Sequence, residues 1–328
     1  MWRALCHNPN KTASLTMETP RLPLAPVRRR WVRLLPLLWV ACSLAWGFDH
    51  ATYIRPIEKT LPAAGVTQVV VQNLVGPITV KTSSDEQIHL VVLIHAGGAD
   101  ATFARTLAGQ LDFQVQNING QVRIIGVYPL DHFRDYGYPK MKSILGIHGT
   151  DSNEYDGQKV FIRDVGSKKA VELWAEVRLT LPARLGLVLR NTYGDVELRG
   201  GGAAVGAAAG GSLDGFTDVG DFSIYRPLWS TIKIQSDYGK VEFTDGLGEA
   251  RSVHVSTNVG GAYLDLPPGS NCQIIAHKDL GFLHNDVNDA KFSKNSAGDS
   301  VLQLGDGHGA HVHIDMSVGS LHLAKVRG

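Results

Sequence analysis

A short unit of two alternating apolar stretches joined by a glycine recurs along this chain. In the clearest copy, Leu187 and Leu189 lie seven and five residues before Gly194, and Val196 and Leu198 lie two and four residues after it. Alternation of apolar and polar residues predicts strands with one buried face. Glycine accepts backbone conformations that other residues resist, which suits a corner. The unit therefore predicts two short strands joined at a glycine.

Copies of this unit occur at several other glycines. Full copies surround Gly76, Gly120, Gly239, Gly260 and Gly319, and weaker ones surround Gly220 and Gly281. A small polar residue often stands three positions before the glycine, namely Asn73, Asn117, Asn191, Ser236 and Thr257. In the C-terminal half the spacing is about 20 residues, which matches one coil of a β-solenoid. We predict an all-β fold, an irregular β-solenoid or right-handed β-helix-like stack with glycine corners. A β-sandwich is the alternative.

Composition and charge limit the classes of function. Of 328 residues, 44% are hydrophobic and 19% are charged, which indicates a globular chain. Seven of the 32 Lys and Arg residues and one of the 31 acidic residues lie in residues 1–47, so the remainder has a net charge of −5. A mildly acidic body argues against nucleic acid as a partner.

The N-terminus has the pattern of a secretory signal peptide. The basic run Arg28–Arg30 precedes the apolar segment Leu34–Ala45, and cleavage after Gly47 would follow small residues. The segment before it is long, so Met17 is an alternative start to Met1. A lipid anchor at Cys42 is a second possibility. We expect contact with a membrane only through the signal peptide or through such an anchor.

Residues 48–328 are predicted to form a single β-repeat domain. Residues 127–169 interrupt the repeats and are expected to be a surface insertion, because long aperiodic segments usually lie outside a β core. Residues 99–111 have the spacing of a short amphipathic helix. The glycine- and alanine-rich segment 200–211 is expected to be a corner. Cys272 is expected to be a buried free thiol.

Histidines near the C-terminus form the best candidate for a metal site. His308, His311, His313 and Asp315 are close in sequence, and the last three alternate along one predicted strand. Histidine and carboxylate ligands suit zinc or a similar ion. The apolar residues between them hold core positions, so their face points to solvent, and an ordinary polar face is the alternative. We expect no cofactor.

The sequence has little support for catalysis. The Gly-x-Ser-x-Gly motif of hydrolases does not occur. Asp279, Asp286 and Asp289 are candidates for polysaccharide cleavage, which needs paired carboxylates, although their composition is also typical of turns. No catalytic residue is assigned, and an enzyme is not expected.

Aromatic residues at the corners are candidates for binding. Tyr193 and Tyr238 each precede a repeat glycine, and Tyr263 follows another. If the corners align, these tyrosines would form a ladder that binds glycans or proteins. Stacking inside the fold is the alternative.

The repeat motifs resemble those of the DUF4097 family of proposed bacterial adhesins, which is related to the head domains of auto-transporter adhesins. The resemblance rests on the units Asn73–Val80, Asn191–Leu198 and Ser236–Phe243, and it spans residues 65–325. It implies an exported, all-β, β-helix-like protein and supplies no catalytic residue.

Together these observations predict a non-catalytic, adhesin-like or scaffold protein of the cell envelope. We expect it in the periplasm, at the outer membrane or outside the cell, with an envelope protein or glycan as its partner. A β-helix enzyme acting on envelope polysaccharide and a metal-binding envelope module are the alternatives. The ligand, the oligomeric state and the role of the insertion stay open.

Overall fold

Extended strands make up most of the computed structural model of this chain. It describes residues 50–140, 143–144, 147–148, 153–200, 210–287 and 289–325. The predicted signal peptide, both candidate start residues and Cys42 lie outside the described residues, as does most of the segment 200–211. The predicted domain boundary at residue 48 stays a prediction.

The strands follow the alternating segments of the sequence. In chain order they are β1 (Ala51–Pro62), β2 (Gln68–Val75), β3 (Ile78–Ser83), β4 (Gln87–Gly98), β5 (Asp112–Ile118), β6 (Gln121–Val127), β7 (Asp135–Tyr138), β8 (Ser143–Ile144), β9 (Ile147–His148), β10 (Asn153–Tyr155), β11 (Gln158–Asp164), β12 (Val171–Pro182), β13 (Gly186–Tyr193), β14 (Val196–Arg199), β15 (Ser212–Val219), β16 (Phe222–Tyr225), β17 (Thr231–Tyr238), β18 (Val241–Thr244), β19 (Ser252–Leu266), β20 (Cys272–Asn285), β21 (Lys291–Lys294), β22 (Ser300–Leu304) and β23 (Ala310–Lys325). The predicted all-β class is confirmed.

A short helix, α1 (Ala101–Gln110), lies within the predicted range 99–111. Asp100 caps its first turn by accepting a hydrogen bond from the backbone amide of Phe103 at 2.8 Å. Leu107 is buried, whereas Phe103 is 47% exposed. Arg55 of β1 donates to the carbonyl oxygen of Ala108 at 3.0 Å, which ties the helix to the sheet.

The repeat units lie side by side with their equivalent residues in register. Leu187 of β13 is paired with Val69 of β2 and with Leu213 of β15, and all these pairings are parallel. The first strands follow the order β6, β2, β13, β15, β17, β19, β23 and β20. The second strands follow the order β12, β3, β14, β16 and β18, and then the second halves of β19, β23 and β20. Alternate side chains of both sets face the apolar core.

The spatial order of the last units differs from their order along the chain. The unit of Gly319 lies between those of Gly260 and Gly281. The hairpin of β21 and β22 explains this order, because β22 pairs antiparallel with β20 and occupies one of its edges. The chain then returns to the other edge of β20 as β23. The result is a curled mixed sheet, parallel in the repeats and antiparallel at its ends. The units stack in chain order from β13 to β19 but not at either end, so the predicted solenoid is not confirmed.

The unit predicted around Gly120 is corrected by the structure. Strands β5 and β6 pair antiparallel, with Ile118 opposite Gln121, so Asn119 and Gly120 form the turn of a hairpin. Both have positive φ angles, 53° and 76°, as the tight turns between hairpin strands require. The Asn-Gly pair therefore forms a local turn, although the apolar residues around it have the spacing of the repeat.

The other repeat glycines form one column along the corners, here named the glycine column. In spatial order the column contains Gly76, Gly194, Gly220, Gly239, Gly260, Gly319 and Gly281. The backbone amide of Gly194 donates to the carbonyl oxygen of Val219 at 2.8 Å, and that of Gly76 donates to Tyr193 at 2.8 Å. A Cβ on Gly194 would lie 2.6 Å from the carbonyl carbon of Gly76. The column therefore excludes side chains, because each corner packs directly on the backbone of the next.

A row of polar side chains runs alongside the glycine column. Each lies three residues before a column glycine in the sequence. Asn191 is fully buried and donates to the carbonyl oxygens of Gly194 at 2.8 Å and Gly76 at 3.1 Å. Asn73 donates to Gly76 and to the side-chain oxygen of Asn191, each at 3.3 Å. Lys278, which is only half-buried, occupies the same position in its unit and donates to the carbonyl oxygen of Gly281 at 3.0 Å. These side chains satisfy buried carbonyl groups at the corners.

Residues 127–169 are partly built into the core, which corrects the prediction of a surface insertion. Strand β7 pairs in parallel with β11 and β12. Tyr136 is fully buried, and Tyr128, Tyr138 and Tyr155 are each at most 5% exposed. The sequence pattern missed this packing because the tyrosines are too irregularly spaced to have a strand period.

Candidate functional site

The residues immediately before the glycine column form an apolar row, here named the corner ridge. In spatial order its members are Val75, Tyr193, Val219, Tyr238, Val259, Val318 and Leu280. Each member is paired with the next across parallel strands, about 4.8 Å apart. The ridge is therefore a continuous apolar line along the corners of seven adjacent units.

Exposure of the corner ridge changes along its length. Its first three members are at most 3% exposed. Farther along, the exposed fraction is 43% for Tyr238, 44% for Val318 and 67% for Leu280. Phe282 follows Gly281 and is 79% exposed, so it extends the apolar surface past the corner.

Tyrosines of the segment 127–169 cover the buried end of the ridge. The Tyr138 ring packs edge-on against Tyr193, with the ring centres 5.7 Å apart. The Tyr128 hydroxyl accepts from the backbone amide of Val75 at 3.3 Å and donates to Asn73 Oδ1 at 2.8 Å. The apolar residues at this end are thus part of the core.

The three tyrosines proposed for binding do not form a ladder. Tyr193 is buried and Tyr238 is exposed, and Val219 stands between them in the ridge. Tyr263 lies beyond its corner, where it stacks on His322 with ring centres 4.6 Å apart. The candidate ladder is therefore replaced by a mixed aliphatic and aromatic ridge, and Tyr193 fits the alternative of stacking inside the fold.

A second group of interest lies on the outer face of the first strands. His254 of β19 is paired with His313 of β23, and their rings are 5.4 Å apart and nearly parallel. Asp315 Oδ1 lies 3.2 Å from His313 Nε2, and Asp315 Oδ2 lies 3.7 Å from His254 Nε2. We name these three residues the histidine cluster.

Electrostatics distinguish the cluster from its neighbour His277 on β20. Partial burial lowers the pKa of His254, although Asp315 opposes this shift. His277 Nδ1 is hydrogen-bonded to Asp299 Oδ1 at 2.8 Å, which raises the pKa of His277 and lowers that of Asp299. His277 is therefore engaged by another carboxylate, while His254 favours the neutral form.

Of the four residues that the sequence suggested for a metal site, His313 and Asp315 belong to the histidine cluster, whereas His308 and His311 do not. His308 lies in the turn before β23, and its backbone amide donates to Asp306 Oδ1 at 2.9 Å. His311 is exposed on β23 beside Ser252. His254 was missed, although it precedes Gly260 by the same six residues that separate His313 from Gly319. That shared offset is the signal that could have found it.

The carboxylates considered for polysaccharide cleavage have other partners or stand apart. Asp279 Oδ1 lies 3.5 Å from His277, before the corner at Gly281, and Asp286 Oδ1 lies 3.1 Å from His284, after it. Asp289 is exposed in a turn. Asp279 and Asp286 thus each form an ion pair with a histidine two residues away, and the enzyme alternative stays a prediction.

Asp218 provides a prediction about stability. Burial, with a contribution from the neighbouring Asp237, raises the pKa of Asp218 to about 6. Because the raised pKa penalises the ionised folded state, Asp218→Asn should stabilise the fold by about 1 kcal/mol at pH 7.5, after allowance for solvent screening. The advantage should shrink as pH falls through 6 toward 4, where wild-type Asp218 takes up a proton on folding. Urea unfolding at pH 7.5 and pH 5 measures this, and a less stable variant at pH 7.5 would contradict it.

In comparisons with known proteins, this chain is similar to several solved structures. No family model and no curated protein matches the sequence, so the resemblance to DUF4097 stays a prediction from the motifs. A structure described as a candidate cell adhesion protein, from Clostridium sporogenes, matches with 13% identity and a TM-score of 0.41 over 83% of this chain and 100% of its own. A candidate adhesin from Bacteroides fragilis matches with 12% identity and a TM-score of 0.40 over 82% and 97%. A candidate lipid-binding protein from Parabacteroides distasonis matches with 11% identity and a TM-score of 0.22 over 83% and 97%.

Within the described part of the chain, no helix has the length and apolar character needed to cross a membrane.

Proposed function

We propose that this chain is a non-catalytic, exported binding protein that holds a protein partner on the exposed end of the corner ridge. The apolar segment Leu34–Ala45 supports export. Binding is supported by the change in exposure along the ridge, and this single observation carries the proposal. The sequence keeps apolar residues along the whole ridge, including the end where the fold does not bury them.

Packing inside the fold explains the apolar residues at the buried end of the ridge but not those at the exposed end. At the buried end, Tyr193 is apolar because Tyr138 packs on it. At the exposed end, Leu280 and Phe282 have 67% and 79% of their surface in solvent, so folding gains little from them. Contiguous exposed apolar residues of this kind mark interaction sites.

The chemistry of the exposed end favours a protein over a glycan. Aliphatic Val318 and Leu280 are neighbours in the ridge, and aromatic Tyr238 and Phe282 lie on either side of them. Such surface suits the apolar centre of a protein interface, in which aromatic anchors carry much of the affinity. Glycan recognition needs several polar groups placed around the aromatic rings, and among the exposed ridge members Tyr238, Val318 and Leu280 the Tyr238 hydroxyl is the single polar side-chain group.

The test is a binding screen of the full chain against envelope proteins, glycans and lipid vesicles. The ridge variant combines Leu280→Glu with Phe282→Glu, and the control is Ile54→Glu, because Ile54 is 51% exposed on β1. Affinity for a protein ligand should fall at least tenfold in the ridge variant and stay within twofold in the control. Binding of glycans or vesicles alone, or protein binding that the ridge variant retains, would overturn the proposal.

A further inference from the structure

We propose that His254, His313 and Asp315 form a binding site for one divalent transition-metal ion, of which zinc is the best-suited example. The site joins β19 to β23 on the outer face of the sheet, away from the corner ridge. It is independent of the proposed protein binding, which uses other residues.

The register of the sheet creates this site. His254 and His313 occupy equivalent positions in neighbouring parallel strands, so their side chains leave the sheet on the same face. Asp315 follows His313 by two residues and points to that face as well. These residues come together because β23 lies directly beside β19, although the two strands are far apart in sequence.

Distances within the cluster are compatible with a shared ion. One ligand atom from each residue lies within 4.8 Å of the others. Ligands at about 2.0–2.2 Å from a tetrahedral zinc ion are about 3.4 Å from one another. His313 Nε2 lies 3.2 Å from Asp315 Oδ1, and His254 Nε2 lies 3.7 Å from the other oxygen, Oδ2, so each histidine is already near this distance from the carboxylate. Small side-chain rotations would bring the two imidazoles to the same ion.

The donor set and its surroundings suit a borderline metal. Two imidazoles and one carboxylate favour zinc, cobalt or nickel over calcium or magnesium. Metal binding requires a neutral imidazole, which is the main form of an ordinary histidine above pH 7. All three side chains are 37% to 47% exposed, so an ion can reach them and water can fill the remaining position.

Neighbouring charged residues limit the number of metal ligands and the affinity of the site. His277 is bound to Asp299, which leaves three ligands rather than four. Lys233 of β17 is paired with His254 in the sheet, and its charge lowers the pKa of that histidine. Lys233 also repels a cation, so Lys233→Gln should tighten metal binding.

The direct test is zinc titration of the full chain without an affinity tag, after removal of metal by a chelator. Calorimetry should give one zinc per chain, and saturating zinc should raise the melting temperature by on the order of 5 °C. His254→Ala and His313→Ala should each weaken binding at least tenfold. Addition of cobalt should give the visible absorption of a tetrahedral site.

Matched controls distinguish this site from ordinary surface histidines. His311→Ala, on the same strand as His313, and His284→Ala should leave the affinity unchanged. Circular dichroism checks that each variant folds, and His254→Gln replaces His254→Ala if the latter does not. The proposal is overturned if zinc does not bind, if the His254 and His313 variants bind as wild type does, or if His311→Ala removes binding.

Discussion

Gly194→Ala is expected to destabilise the fold by about 4 kcal/mol or more, which places it among the most damaging single substitutions. Gly194 has a φ of 131°, which L-residues rarely adopt. A Cβ there would also overlap the backbone of Gly76, since its carbonyl carbon would be only 2.6 Å away. A backbone neighbour cannot rotate aside as a side chain can, so the corner must shift.

The matched control is Gly65→Ala. Gly65 also has a positive φ, 73°, but a Cβ there would have nothing within 4 Å. It should lose only about 1 kcal/mol, the cost of the left-handed conformation. Chemical unfolding of both variants measures the difference. Equal losses at the two positions would show that corner packing contributes nothing beyond backbone strain.

Asn191→Leu should have the second largest effect, a loss of about 2–4 kcal/mol. The substitution keeps a similar volume but removes the donor that binds the carbonyl oxygens of Gly194 and Gly76. It also removes the acceptor that binds Asn73. Because these groups are buried, each one left unpaired costs about 1–3 kcal/mol. Urea unfolding monitored by circular dichroism gives the value.

Thr217→Val is the matched control for Asn191→Leu. Thr217 is paired with Asn191 across the sheet and is also fully buried, but its hydroxyl oxygen has no hydrogen-bond partner. Removing an unpaired hydroxyl at constant shape should be neutral or should stabilise by about 1 kcal/mol. If Thr217→Val were as damaging as Asn191→Leu, hydrogen bonding would not explain the role of this row.

The local structure of the repeats could be predicted from the sequence because alternation and glycine spacing are local signals. The units of Gly76, Gly194, Gly239, Gly260 and Gly319 lie in register, and the all-β class follows from them. The order in which units pack could not be predicted, because it depends on which strand edges are still free. The β21–β22 hairpin occupies one edge of β20, and the residues of the repeat motif do not determine which edge the hairpin pairs with.

The candidate site was only partly predictable for the same reason. His313 and Asp315 were singled out from their spacing, but His254 joins them only because β23 pairs with β19. Tyr193 and Tyr238 were correctly placed before their glycines, yet the sequence did not show that Tyr138 would cover one and leave the other exposed. Both failures concern contacts between segments that are distant in sequence.

The corner ridge and the histidine cluster both depend on the position of the Gly319 unit between the Gly260 and Gly281 units. Intrachain disulfide formation tests this order directly. Val259→Cys with Val318→Cys places thiols on paired strands, within reach of a disulfide. Val259→Cys with Leu280→Cys places them two strands apart, about 9.5 Å, which is too far.

Peptide mapping after mild oxidation of the folded chain identifies which cysteines are joined. Burial raises the pKa of the Cys272 thiol to about 11, so that thiol should not react. We expect a disulfide between positions 259 and 318 in the first variant and none between 259 and 280 in the second. A disulfide between 259 and 280, with none between 259 and 318, would contradict the stacking order and both proposals that depend on it.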